Sequence, residues 1–282
     1  MSKHARSRLW LLRLAAAGGA LTAAAGVTHA QEGRAAAARD TTPTFTVDGQ
    51  AALHALMSLS DAHLRKLADV LTILATTDAV RSGEWERIRV PLQQAARMNV
   101  AAAHWFARPD GSYWTLEQGR ATGSLADRAY FPRALAGRTV IGELVVSRST
   151  NRNTAVVAVP VRGRDAVVGV LGSSVHLDSL GALLRREMGG LEHRLLFFAI
   201  DSQPLGALNS DPALIFTEPM SLGDEGMRQA FTRILATGEG AVTYDFRGSR
   251  RTVLYRRSPV TRWWYGFGVL RPATRDASPG SR

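Results

Sequence analysis

The chain has 282 residues, 45% of them hydrophobic and 21% charged, with no cysteine and a formal charge of +11. That length suits one large domain or two small ones, and the missing cysteines exclude disulfides, thiolate metal sites and a cysteine nucleophile. Four of the positive charges lie in residues 1–30 without an acid to match them, so the remainder carries +7. These cations are nearly all dispersed arginines. A nucleic-acid reader would need a clustered basic face, so no nucleic-acid partner is expected.

Lys3, Arg6 and Arg8 precede an apolar run, Leu9 to Val27, broken by Arg13 and followed by Thr28-His29-Ala30. A basic start, an apolar middle and a small-x-small site read as a signal peptide over residues 1–30, cleaved on export to the periplasm. The alternative is an uncleaved segment that tethers the chain at the inner membrane. Residues 31–50 are polar and aperiodic and read as a flexible leader.

From residue 51 the leucines Leu53, Leu56, Leu59, Leu64, Leu67, Leu71 and Leu74 recur at helical spacing. They predict a long N-terminal helix over residues 51–80, and a second helix follows over 83–98. The period then switches. Residues 101–107 and 112–117 form a hairpin around Arg108-Pro109-Asp110-Gly111. Residues 118–124 read as a Gly-rich loop, and 125–135 as a helical turn interrupted by Pro132. Strands follow at 139–147, 154–161 and 166–176, then a helix over 177–188 stopped by Gly189-Gly190. The remainder reads as a strand at 193–200, a loop over 201–219 and a helix over 224–236. A three-stranded meander at 241–246, 251–258 and 263–270 ends it, and residues 272–282 form a disordered tail. Local hairpins segregated from helices indicate an α+β fold: a long N-terminal helix packed on an antiparallel sheet, followed by a smaller second α+β module.

One stretch, Trp105 to Leu180, carries a linked set of features. Pro109-Asp110-Gly111 turns a hairpin. Asp127-Arg128-Ala129-Tyr130-Phe131 stands in the loop beyond it. One strand ends at Val146-Ser147 and the next at Val159-Pro160, and a strand from Val168-Gly169 runs into a helix. In that order these features resemble the Cache superfamily of extracytoplasmic sensors. The resemblance implies a ligand-binding module over residues 81–190 and, more loosely, a smaller second module over 191–271. A single module with a C-terminal extension is the alternative.

In such modules a small molecule sits between the sheet and the loop crossing it. The resemblance therefore implies a ligand site built from Trp114, Arg128, Tyr130, Phe131, Ser147 and Ser174, with Ser149 and Ser173 as further hydroxyls. Arg128 would fork onto a carboxylate, and the aromatic residues would stack or wall the ligand. The plainer alternative pairs Arg128 with Asp127 or Asp178 and leaves Tyr130 and Phe131 in the core. Amino-acid-binding members carry an Asp on the last strand where this chain has Ser174, and a Trp-Tyr pair where it has Tyr130-Phe131. A small organic acid or another small polar ligand is therefore expected in preference to an α-amino acid.

No triad-like Ser, His and Asp context appears, and no histidines stand at metal-ligand spacing. His104 and His176 are the two that could face one pocket. The expected protein is not an enzyme and needs no cofactor and no metal. It is a periplasmic small-molecule sensor relaying its state to a membrane-bound signalling partner, with weak homodimerisation through the leucine stripe of the long helix unless that stripe packs internally. A structural or adaptor protein with a filled PAS-like core is the competing reading.

Overall fold

The computed structural model describes residues 48–188 and 194–272; the expected signal segment, nearly all of the leader and all but the first residue of the tail lie outside them. All described residues fall within one compact unit, Thr46–Arg282. The elements are α1 (Gly49–Ala75), α2 (Asp78–Arg81), α3 (Trp85–Arg97), β1 (Ala102–Ala107), β2 (Ser112–Thr115), β3 (Gly119–Ser124), α4 (Phe131–Leu135), β4 (Val140–Val146), β5 (Asn153–Arg162), β6 (Val167–His176), α5 (Leu177–Glu187), β7 (Leu195–Ile200), β8 (Gly206–Asn209), α6 (Pro219–Leu222), α7 (Glu225–Ala236), β9 (Glu239–Phe246), β10 (Ser249–Arg257) and β11 (Trp264–Pro272). Two antiparallel sheets result, a six-stranded one ordered β3-β2-β1-β6-β5-β4 and a five-stranded one ordered β8-β7-β11-β10-β9. The fold is α+β, as the periodicities predict.

α1 starts where Asp48 accepts a hydrogen bond from the Gln50 N–H at 2.8 Å, satisfying one of the orphan donors of the first turn. Its leucines Leu53, Leu56, Leu64, Leu67 and Leu71 are fully buried, in a core shared with Val157 and Leu171 of the six-stranded sheet and with Tyr265 and Phe267 of the five-stranded sheet. The stripe expected to offer a dimer surface is thus consumed within the chain. Alternation along β5 sends Ala155, Val157, Val159 and Val161 toward α1. Val156 and Ala158 enter a separate core with Trp105, Tyr130 and Phe131 on the opposite face. A third core lies between the five-stranded sheet and α7, built on Phe198, Phe231, Tyr244 and Phe246.

Three short elements depart from the sequence reading. Residues 119–124 form β3 because β2 offers them an edge, with Thr115 opposite Gly119. β8 pairs with β7 through Phe198 opposite Asn209, inside the stretch read as loop. Pro132 stands in the first turn of α4 and does not interrupt it, since proline suits a first helical turn that needs no N–H partner there.

Polar contacts fasten α1 and the two sheets. The Trp263 indole donates to the Gly142 carbonyl on β4 at 2.8 Å. Gly142 has φ 88° and sits at a register shift in β4; its missing Cβ leaves room for Thr261 and Trp263. On α1, Asp61 accepts from the Ser258 hydroxyl at 2.7 Å, and Ser60 accepts from the Tyr265 hydroxyl at 2.8 Å. Burial raises the Asp61 carboxyl above its ordinary pKa, against the opposing hydrogen bond from Ser258.

Candidate functional site

The face of the six-stranded sheet turned away from α1 is crossed by the loop between β3 and β4. Beneath that loop lies a hollow of about 20 Å³ lined by Trp105, Tyr113, Leu125, Arg128, Tyr130, Val145, Ser147, Arg148, Ser149 and Ser174. That is room for about one water molecule. Four of the expected site residues, Arg128, Tyr130, Ser147 and Ser174, meet there.

The other two stand elsewhere. Trp114 pairs with Phe106 across β1 and β2 and shares the α1-side core with it. Its ring is covered by the Arg108 and Arg120 guanidiniums, 4.8 and 5.8 Å from the ring centroid. Residue parity is the reason: Tyr113, one position earlier, takes the hollow face. Phe131 is fully buried in the core beneath the hollow, with Ala134 and Val140, and does not line it.

The lining is organised around Trp105. Gly172 lies opposite Trp105 on β6, and a Cβ there would fall 2.2 Å from the indole. Only glycine lets the ring lie across the strand. The indole then donates to Ser174 Oγ at 3.2 Å, and its centroid lies 6.1 Å from the Tyr130 ring. Burial raises the Tyr130 hydroxyl pKa, with Arg128 opposing, so it stays protonated and able to donate. Tyr113 is shifted the same way, with Arg148 and Arg128 opposing.

Two guanidiniums border the hollow, in different states. Arg148 holds Asp127 by two parallel hydrogen bonds, at 2.7 and 2.5 Å, and also donates to the Ser124 carbonyl. The hydrogen bonds from Arg148 depress the Asp127 carboxyl pKa. Arg128 donates to the Val146 carbonyl at 2.9 Å and has no carboxylate partner among the described residues. Asp127 is taken by Arg148 and Asp178 by Arg152, so the plainer pairings of Arg128 do not occur. Arg148, Trp105 and Tyr113 were missed by sequence reasoning. Cross-strand register brings them in, and no local motif marks it.

His104 and His176 do not reach this hollow. His104 shares a buried pair with Ser173 across β1 and β6, Nδ1 to Oγ at 2.6 Å. Burial, helped by the charge of His176, lowers its pKa to about 4. His176 Nδ1 accepts from Arg152 at 2.7 Å, and Arg152 in turn holds Asp178. The Ser173 hydroxyl is committed to His104, so it is not a hollow-side group.

No family model matches the chain, and no curated protein matches it. Solved structures do. The ligand-binding domain of the Pseudomonas aeruginosa PAO1 amino acid chemoreceptor PctB, in complex with L-Arg, has a TM-score of 0.63 at 15% identity, covering 79% of this chain and 94% of that one. The ligand-binding domain of the Pseudomonas fluorescens chemoreceptor CtaA, in complex with L-serine, has a TM-score of 0.61 at 16% identity, covering 77% and 93%. A methyl-accepting chemotaxis protein X has a TM-score of 0.62 at 15% identity, covering 79% and 96%. These likenesses show the fold: it is the one shared by these chemoreceptor ligand-binding domains. Among the described residues, no helix is long and apolar enough to cross a membrane.

Proposed function

We propose that this chain is an exported small-molecule sensor whose ligand is a small organic acid seated in the Trp105–Tyr130 hollow, and that it passes its state to a membrane-bound signalling partner. One observation carries the reading. Arg128 stands at the rim of the hollow with its charge unmatched by any carboxylate among the described residues, while the hydroxyls of Tyr130, Ser147 and Ser174 line the same space. A guanidinium fork beside an aromatic wall suits a carboxylate. The structural neighbours, chemoreceptor domains solved with L-Arg and L-serine, support a role in binding and signalling and not in catalysis.

The lining contains no Asp or Glu, so it offers no anion for a ligand's ammonium group. That favours an organic acid over the corresponding amino acid. The size of the hollow favours a second reading: at about 20 Å³ it must open by movement of the loop carrying Arg128 before a carboxylate fits, and a permanently closed hollow would belong to an adaptor with a filled core. Pairing of two copies through α1 would have to use its exposed face, where Ile73 is 67% exposed.

Thermal unfolding across a library of small carboxylates tests the proposal. A true ligand raises the midpoint progressively with concentration. Arg128→Ala should weaken it by about 1.5–3 kcal/mol, roughly ten- to a hundredfold. Calorimetry with an acid and its α-amino counterpart separates the ligand classes: tight amino-acid binding without acid binding would overturn the assignment.

A further inference from the structure

A second, larger cleft lies where the two sheets meet. It measures about 440 Å³ and is walled by β4, by residues 201–203 after β7, and by the turn between β10 and β11. Small-ligand sites typically measure ~300–1,000 Å³. Four guanidiniums line it, those of Arg133, Arg138, Arg257 and Arg262, against two carboxyls, those of Glu143 and Asp201.

The charges do not cancel locally. Glu143 is taken by Arg133 at 2.5 Å. Asp201 turns one carboxylate oxygen to the N–H groups of Gln203 and Leu205, each at 2.9 Å. Its pKa is raised by burial and then by Glu143. Arg257 lies 4.1 Å over the Trp264 ring and donates from Nε to the Arg262 carbonyl at 3.2 Å. The Arg138 and Arg262 side chains have no hydrogen-bond or ion-pair partner among the described residues, and Arg262 holds a left-handed backbone, φ 66°, which costs a non-glycine residue energy and clusters at ligand sites. Arg138 enters from the six-stranded sheet's side, between α4 and β4, and Arg262 from the five-stranded sheet's side.

We propose that this cleft is a second binding site, for a small di- or tricarboxylate whose separate carboxylates engage Arg138 on one side and Arg262 on the other. Arg138 and Arg262 both line the cleft, and a ligand with two acidic ends can engage both walls where a monocarboxylate engages one. Because the walls belong to different sheets, occupancy would also brace the junction that Trp263 makes with Gly142. The site is independent of the Arg128 hollow.

The test compares citrate and malate with acetate, and with sodium chloride at matched ionic strength, on the purified full chain by calorimetry and thermal unfolding. Citrate and malate are expected to bind and stabilise, acetate and chloride not. The double variant Arg138→Gln/Arg262→Gln should lose at least tenfold in citrate affinity, while Arg128→Ala should retain it. In the wild type, citrate should shield Arg138 and Arg262 from phenylglyoxal, read by peptide mass spectrometry; this readout decides the matter even where a variant fails to fold. Equal stabilisation by chloride, unchanged affinity in the double variant, loss of citrate binding in Arg128→Ala, or no shielding of either arginine would each overturn the proposal.

Discussion

The buried His104 makes a quantitative claim about acid. Its folded pKa is lowered from 6.5 to about 4, so the native state refuses a proton that the unfolded chain accepts. The stability tied to neutral His104 is complete well above pH 6.5 and drains away as the pH falls toward 4. A displacement of 2.5 units is worth about 3 kcal/mol in full, and about 2 kcal/mol of it should be gone by pH 5. For a domain this size that corresponds to a fall of roughly 4–8 °C in unfolding midpoint. Exposed carboxylates with depressed pKa values, such as Asp127 and Asp178, also weaken the fold in acid, and comparison with a variant removes their contribution. His104→Gln keeps a polar group against Ser173 but cannot titrate. Midpoints for both proteins measured from pH 8 to pH 4.5 should converge as the wild type loses its lead. Parallel curves would refute the assignment of acid sensitivity to this residue.

Other outcomes follow from the same structure. Gly172→Ala drives a methyl into the Trp105 indole, and should cost about 1–3 kcal/mol by overpacking and abolish carboxylate binding in the hollow; an unaltered midpoint would show that the ring has room to move. Asp61 behaves opposite to His104. Its folded pKa is raised, so its contribution is whole below the ordinary carboxylate range and is lost as the pH climbs through the folded value. Asp61→Asn should therefore gain on the wild type between pH 3.5 and 7.5, in paired thermal melts, and a constant difference would count against it. Removing the Arg128 side chain should leave the fold intact, because among the described residues its only side-chain hydrogen bond runs to the Val146 carbonyl, and circular dichroism melts of ligand-free Arg128→Ala should overlay the wild type within about 0.5 kcal/mol.

How much of this was legible in the sequence depended on range. The α1 leucines and the Pro109-Asp110-Gly111 hairpin announce themselves, because period and turn chemistry are local. β3 and β8 do not: Gly119–Ser124 and Gly206–Asn209 have little strand character of their own and become strands by pairing with β2 and β7. The same division runs through the site. Arg128 and Tyr130 lie in one short loop motif, and the structure brings both to the hollow. Trp114 was placed on the wrong face because one residue of register exchanges it with Tyr113. Arg148 was missed because its partner, Asp127, is 21 residues away.

The docking of Trp263 on β4 also bears on solubility. β4 is the outer strand of its sheet, and its sequence, Val-Ile-Gly-Glu-Leu-Val-Val, is the sort of apolar edge along which chains stack into aggregates. The kink at Gly142 breaks its straightness, and the indole occupies a carbonyl that an incoming strand would use. Trimming this indole to Phe would reopen that carbonyl, so the junction between the sheets doubles as the guard of an exposed border.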